Sequence, residues 1–113
     1  MNQLIHWKDG VVPEAPYYAN VFSYLLGDDL SGYQEMDELT LELVHEVDGF
    51  LGYESSKSDG RGLFISYWRD MESINAWRKE TTHQKAKMEG VKRWYKYYHS
   101  KVVKIESARY HTL

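Results

Sequence analysis

The stretch GLFISYWRDMESINAWRKETTHQKAKMEG, residues 62–90, decides the fold. It opens with a strand whose two alternating faces are both apolar: Leu63, Ile65 and Tyr67 on one, Phe64 and Trp68 on the other. A strand of this kind is usually central in its sheet and covered on both sides. Asp70 then caps a helix that carries Ile74, Ala76 and Trp77. The stretch therefore predicts a buried strand that leads directly into a helix.

The second half of this stretch interrupts the helical pattern. Thr81 and Gln84 have the spacing of a capping box, in which each side chain accepts a hydrogen bond from the backbone N–H of the other residue. We predict a kink there and a fresh helix from about Thr82 to Met88, ended by Gly90.

Upstream, the chain reads as strand, helix and strand. Tyr17–Leu26 is rich in aromatic and β-branched residues and predicts the first strand. Ser31 and Gln34 form a capping box that starts an amphipathic helix, and Asp48-Gly49 ends it. His45 near its end is expected on the surface. Phe50–Lys57 is the next strand, and Asp-Gly within residues 58–61 predicts a hairpin to the central strand.

Downstream, Val91, Trp94, Tyr95 and Tyr98 stand at i, i+3, i+4 and i+7, which predicts one more short helical face. Lys101–Tyr110 is predicted as the last strand, with charged residues that suit an exposed edge.

The order of elements, β-α-β-β-α-β, predicts an α+β fold of the ferredoxin-like type with a four-stranded antiparallel sheet. Both helical layers must then lie on one face of the sheet. The other face is too apolar to leave in water, so we expect a second copy of the sheet to cover it. The sequence therefore predicts a two-fold homodimer.

The domain prediction separates residues 1–16, an N-terminal extension, from a single domain over residues 17–113. Gly10, Pro13 and Pro16 prevent a long regular element in the extension. Its apolar residues can pack on a partner subunit or on the sheet of their own chain, and the sequence does not decide between the two.

Composition excludes several classes of function. The chain has 113 residues, a net charge of -3 and no cysteine, so disulfides and thiolate chemistry are excluded and no basic stripe predicts nucleic-acid binding. There is no signal peptide pattern and no apolar run that could span a membrane, which predicts a cytoplasmic location without membrane contact. None of the five histidines stands at i, i+4 from another, so no metal site is expected.

The run ISYW at residues 65–68, the AW pair at 76–77, the WY pair at 94–95 and the closing VVKIE strand resemble the antibiotic biosynthesis monooxygenase family, as do His83 and Gly90 in their spacing. The resemblance covers about residues 17–110. It implies a dimeric α+β barrel.

Members of this family that form quinones use neither metal nor flavin. The resemblance therefore implies a pocket between helices and sheet that holds a small aromatic molecule, with the substrate anion itself reducing dioxygen. Asn20, Trp77 and His83 are the catalytic candidates, with His83 as the base. A histidine in a capping region can also simply bond to the backbone, and that alternative stays open. The candidates for substrate binding are aromatic: Tyr24, Tyr67, Trp68, Trp94 and Tyr95.

Two alternatives remain beside a cofactor-independent monooxygenase. The haem-degrading branch of the family combines a strand Asn and a helix Trp, matched by Asn20 and Trp77, with an iron-ligating His one turn beyond His83. Lys87 stands there instead, and lysine is not a usual haem ligand. The other alternative is a dimeric barrel that binds a small apolar ligand without turnover.

Overall fold

The computed structural model describes residues 4–80 and 93–111. Its helices and strands follow one another as β1 (His6–Trp7), a short 3-10 helix (Lys8–Gly10), β2 (Tyr17–Leu26), α1 (Tyr33–Val44), β3 (Phe50–Ser58), β4 (Arg61–Trp68), α2 (Met71–Lys79) and β5 (Tyr95–Ile105). No helix in these two ranges is long and apolar enough to cross a membrane.

The sheet has the strand order β1-β3-β4-β2-β5, and every neighbouring pair is antiparallel. The order of its four long strands is that of the ferredoxin-like fold, as predicted. The predicted number of strands was wrong, because the sheet has five and not four. The fifth comes from the N-terminal extension, where His6 and Trp7 pair with Tyr53 and Gly52 of β3.

Both helices lie on the same face of this sheet. Val44 of α1 and Ile74 and Trp77 of α2 pack on Phe50 and Trp68 in one cluster. Trp68 is completely buried at the centre, with 0% of its surface exposed. Burial of these large side chains is the main favourable term that fixes the two helices on the sheet.

The turns follow the predicted chemistry at two places. Asp59 and Gly60 both adopt positive φ in the hairpin between β3 and β4. Gly49, with φ of +92°, carries the chain from α1 into β3, and a side chain there would collide with Ser73. Asp70 caps α2 as predicted and accepts a bond from the Ser73 backbone at 2.8 Å.

The start of α1 was predicted wrongly. The N-cap is Gly32 in a left-handed conformation, with no side-chain cap, and not Ser31. The Ser31 backbone is held in a different way, because its amide donates to Asp29 and its carbonyl accepts from the indole of Trp94 at 3.0 Å. This tertiary contact replaces the predicted capping box.

The helical face predicted around Trp94, Tyr95 and Tyr98 was also wrong. Tyr95 and Tyr98 belong to β5, which runs from Tyr95 to Ile105 and pairs with the whole of β2. Tyrosine favours strands, and the long partner strand decides between the two readings of the spacing. The predicted last strand, Lys101–Tyr110, therefore began too late and ended too late.

Two further predictions concern His45 and the second capping box. His45 is half-buried and not simply on the surface, because its Nδ1 lies 2.7 Å from the Leu41 carbonyl and its ring contacts Phe50 and Tyr53. The capping box of Thr81 and Gln84, with its helix to Met88 and Gly90, lies outside the described residues.

The N-terminal extension covers one end of the sheet face that carries no helices. Ile5 and Trp7 pack there against Tyr17, Ala19 and Tyr67. Of the two packing modes open from the sequence, these residues therefore adopt the one on their own sheet.

Candidate active site

A cavity of about 890 Å³ lies between the helices and the sheet. Its walls come from β2, β4, β5, α1 and α2. A volume of this size accommodates a drug-sized aromatic molecule. The lining combines aromatic and aliphatic side chains with a small number of polar groups, which is the usual composition of a site for a small organic ligand.

Two polar side chains form the floor on neighbouring strands. Asn20 of β2 pairs directly with Ser66 of β4, so both point to the helix-covered face. The Asn20 Oδ1 accepts a hydrogen bond from the Ser100 hydroxyl at 3.2 Å. The Ser66 hydroxyl accepts from the Trp68 indole at 2.9 Å. Both bonds fix the orientation of groups that face the cavity.

Stacked indoles form one side of the cavity. The rings of Trp68 and Trp77 lie 6.4 Å apart with an interplanar angle of 29°. Both are buried, and both line the cavity. Trp68 has no exposed surface and Trp77 keeps 7%, so Trp77 is the indole of this pair that a flat ligand can contact.

Tyrosines gather at the opposite end. Tyr33 of α1 and Tyr95 of β5 line the cavity, and Tyr24 of β2 packs against Tyr95 with ring centroids 5.4 Å apart. Burial raises the pKa of all three hydroxyls, that of Tyr95 to about 12. These phenols are therefore neutral near pH 7, and they supply hydrogen bonds without charge. Gly62 leaves room for the Tyr24 ring, which occupies the space that a side chain would need.

The α1 wall adds Asp37 and Thr40, one turn apart. Burial raises the pKa of the Asp37 carboxyl, and the Lys57 ammonium opposes that shift. Asp37 as a whole remains exposed, although it lines the cavity. The Thr40 hydroxyl oxygen is shielded from water and has no hydrogen-bond partner among the described residues.

The structure brings most of the predicted site residues together. Asn20, Trp68, Trp77, Trp94 and Tyr95 line the cavity, and Tyr24 adjoins it through Tyr95.

One predicted residue is placed elsewhere, and one is not among the described residues. Tyr67 lies on the opposite face of the sheet, where it lines a separate cavity of about 140 Å³ with Trp7 and Tyr17. Its hydroxyl donates a hydrogen bond to Glu54, and burial raises its pKa. His83, the predicted base, lies outside the described residues.

The sequence did not single out Asp37, Thr40 or Ser66. All three line the cavity, yet Asp37 stands in an acidic helix and reads as one solvated charge among several. The available signal was positional: Thr40 interrupts the run of apolar and acidic residues from Glu35 to Val44. Within residues 4–80 and 93–111, no group of three His, Cys, Asp or Glu side chains could hold a metal ion.

Comparison with known proteins agrees with this architecture. Residues 34–89 match the model of the antibiotic biosynthesis monooxygenase family. The chain belongs to this family. It is 44% identical over 98 residues to the uncharacterized protein YqjZ of Bacillus subtilis, and the match covers 86% of each chain.

Solved structures with the same fold are distant in sequence. Protein SO0527 of Shewanella oneidensis is 13% identical, with a TM-score of 0.72 over 82% of this chain and 94% of that one. SnoaB of Streptomyces nogalater, a cofactor-independent oxygenase, is 11% identical, with a TM-score of 0.69 over 86% of this chain and 97% of that one. Identities this low establish the shared fold and no more.

Proposed function

We propose that this protein is a monooxygenase of a hydroxylated aromatic molecule, which it oxidises without a cofactor in the cavity between helices and sheet. The observation that carries the proposal is the combination, in one cavity, of stacked indoles with the oriented amide of Asn20. Membership of the family and the likeness in fold to a cofactor-independent oxygenase support it.

The chemistry balances without an external reductant. A phenol and one dioxygen give a quinone and one water, so one oxygen atom enters the product and the other leaves as water. All four electrons that reduce dioxygen come from the aromatic ring. The protein must hold the ring, favour the phenolate over the phenol and exclude bulk water.

Asn20 suits the stabilisation of the phenolate. Its Oδ1 accepts a hydrogen bond from the Ser100 hydroxyl, so the amide nitrogen points away from Ser100. Among the described residues, no side chain accepts a hydrogen bond from that nitrogen. The two N–H groups can donate to a phenolate oxygen, whose charge they stabilise. Trp77 contacts the ring, and the fully buried Trp68 packs against the Trp77 indole and holds it in place. The role of His83 as base stays a prediction.

Oxygen uptake with a naphthol tests the proposal, with labelled dioxygen to show incorporation into the quinone. We expect Asn20→Ala to lower kcat/KM by about 100-fold, as loss of an oriented donor to a developing anion does. Ser23→Ala is the matched control, because Ser23 is on the same strand but pairs with Leu63 on the other face. Absence of labelled quinone would contradict the proposal, and a Soret band on adding haemin would favour the haem-degrading alternative.

We also propose that the protein is a homodimer formed through the sheet face that carries no helices. Leu63 and Val103 are exposed there, on β4 and β5. An apolar sheet face in water favours association with a second copy.

Analytical ultracentrifugation tests the dimer. Leu63→Lys is expected to give a monomer, whereas Leu39→Lys on α1 is expected to leave the dimer intact. The two leucines are matched in exposure, 39% and 42%. A monomeric wild type would contradict this proposal.

A further inference from the structure

We propose that Asp37 accepts the proton of the bound phenol and that Thr40 hydrogen-bonds a second oxygen of the same ligand, so that the site selects dihydroxylated aromatic rings. This inference rests on the proposed function. It assigns the role of base to Asp37 in place of the predicted His83, and it names Thr40 as a specificity-determining residue. Both lie on α1 within the described residues.

The placement of the two side chains is the first support. Residues three apart on a helix lie on the same side, with about 5–6 Å between their Cβ atoms. Asp37 and Thr40 have this spacing, and both line the cavity. Two oxygens of one substituted ring can therefore meet the two side chains simultaneously.

The unpaired Thr40 hydroxyl is the second support. Threonine within a helix commonly bonds back to a carbonyl one turn earlier. The Thr40 Oγ1 makes no such bond and has no other hydrogen-bond partner among the described residues, although it is shielded from water. A buried hydroxyl without a partner is unfavourable. A ligand oxygen in the cavity would supply the missing hydrogen bond.

Asp37 has surroundings that suit a base. Desolvation raises the pKa of its carboxyl and Glu38 adds to that shift, whereas Lys57 from β3 opposes it. The charge of Asp37 in turn raises the pKa of the hydroxyls of Tyr24, Tyr33 and Tyr95. Among the described residues that line the cavity, the other ionisable groups with acid or base side chains besides the tyrosines are Arg78 of α2 and His99 of β5. A carboxylate of raised pKa takes a proton from a phenol more readily than an ordinary one.

The proton transfer involves no redox change. The O–H bond of the phenol breaks, its electron pair stays on the phenolate oxygen, and the proton bonds to a carboxylate oxygen of Asp37. The phenolate is then the electron-rich species that the proposed oxidation requires. Thr40 remains a hydrogen-bonding partner throughout this step.

Binding of nitrocatechol and of p-nitrophenol tests the inference without turnover, because the absorption of both probes reports ionisation of the hydroxyl. The titrations are made below the pKa of each free probe. We expect the wild type to bind nitrocatechol more tightly and to shift its absorption to that of the phenolate. Asp37→Asn should abolish the shift. Thr40→Val, which is isosteric, should weaken nitrocatechol binding about tenfold and leave p-nitrophenol binding unchanged, as loss of one hydrogen bond predicts.

Glu35→Gln is the matched control for Asp37→Asn, because it makes the same change at an exposed position of α1 outside the cavity lining. Circular dichroism confirms that each variant is folded. A phenolate shift that persists in folded Asp37→Asn, or equal loss of both probes in Thr40→Val, overturns the inference. So does failure of the wild type to bind either probe.

The two proposals fail in different ways. If the probe results hold but naphthol is not oxidised, the proton-accepting site stands and the monooxygenase proposal falls. If naphthol is oxidised at an unchanged rate by Asp37→Asn, the monooxygenase proposal stands and Asp37 is not the base.

Discussion

The two faces of the same sheet are built on opposite plans. On the helix-covered face, Trp68 is fully buried, yet a cavity remains beside it and holds the polar side chains of Asn20 and Ser66. On the other face, Tyr17 and Tyr67 lie under the N-terminal extension, while Leu63 reaches solvent. Large side chains on the helix-covered face are thus buried around a cavity, whereas those on the other face are buried beneath the N-terminal extension.

This difference separates stability from association. Side chains sealed beneath the helices already have their full packing in one chain, so their removal acts on folding itself. Apolar side chains left open on the other face gain burial only when a second surface arrives. Variants on the two faces should therefore respond differently to protein concentration.

The largest expected effect is at the centre of the covered face. Trp68→Ala should lower the free energy of unfolding by about 3–5 kcal/mol, because it removes a fully buried indole and leaves a void. Leu63→Ala on the same strand should change it by less than about 1 kcal/mol at low protein concentration. Urea unfolding at several protein concentrations measures both. Equal effects of the two variants would remove the contrast between the faces.

The next effect concerns a buried polar group of the covered face. Ser66→Ala removes the acceptor of the Trp68 indole and should lower the free energy of unfolding by about 1–3 kcal/mol, since the indole N–H is left buried without a partner. Urea unfolding measures it, and Ser56→Ala, an exposed serine of β3, is the control. No loss would mean that the cavity supplies the indole with another acceptor.

Tyr67, next to Ser66 in the chain but on the sheet face without helices, should contribute less to the free energy of unfolding. Tyr67→Phe removes the hydroxyl that donates to Glu54 and should lower the free energy of unfolding by about 1 kcal/mol. The effect is smaller than that of Ser66→Ala, because Glu54 is only half-buried and can turn to water. A loss larger than that of Ser66→Ala in the same urea assay would reverse the ranking of the two faces.

The smallest effect is on the rim, at the start of α2. Hydrogen bonds from the Ser73 hydroxyl, the Arg69 guanidinium and the Ser73 amide lower the pKa of Asp70 to about 2. A lowered carboxyl pKa stabilises the fold above the unfolded value of about 3.9, and that contribution is lost as the pH falls through the folded pKa.

Asp70→Asn retains a capping side chain but cannot titrate in this range. We therefore expect the urea midpoint of the wild type to fall more steeply than that of Asp70→Asn between about pH 5 and pH 2. Glu72→Gln, an exposed acid in the same turn, is the control. Parallel curves for wild type and Asp70→Asn would show that the carboxylate is not stabilised in the folded state.

Local rules predicted the elements whose signals are local. Tyr17–Leu26 is a strand, Asp59-Gly60 forms the hairpin between β3 and β4, and Asp70 caps a helix. Each depends on backbone conformations or on hydrogen bonds between near neighbours in the chain.

Predictions failed where a distant partner decides the outcome. Ser31 does not cap α1, because Trp94 bonds to its carbonyl from a position 63 residues away. Tyr95 and Tyr98 are extended because β2 pairs with them, although their spacing also fits a helix. Neither contact can be predicted from the neighbouring residues in the sequence.

The candidate site divides in the same way. The resemblance to the family pointed to Asn20 and Trp77, and both line the cavity. Thr40 and Ser66 are ordinary polar residues in the sequence, and only the packing of α1 against the sheet brings both to the wall of the same cavity. Strand alternation in the sequence already separated Tyr67 from Trp68, and the structure shows that the face of Tyr67 is the one without helices.

The sequence by itself determined the order of the four long strands and two helices and the central strand, because hydrophobic periodicity, turn residues and caps act within a few residues. The family followed from the resemblance of its motifs. The tertiary structure alone decided that His6 and Trp7 extend the sheet to five strands and that Asp37 and Thr40 share a wall of the cavity. Long-range strand pairing and the space left between packed layers depend on residues that are far apart in the chain, so no single stretch specifies them.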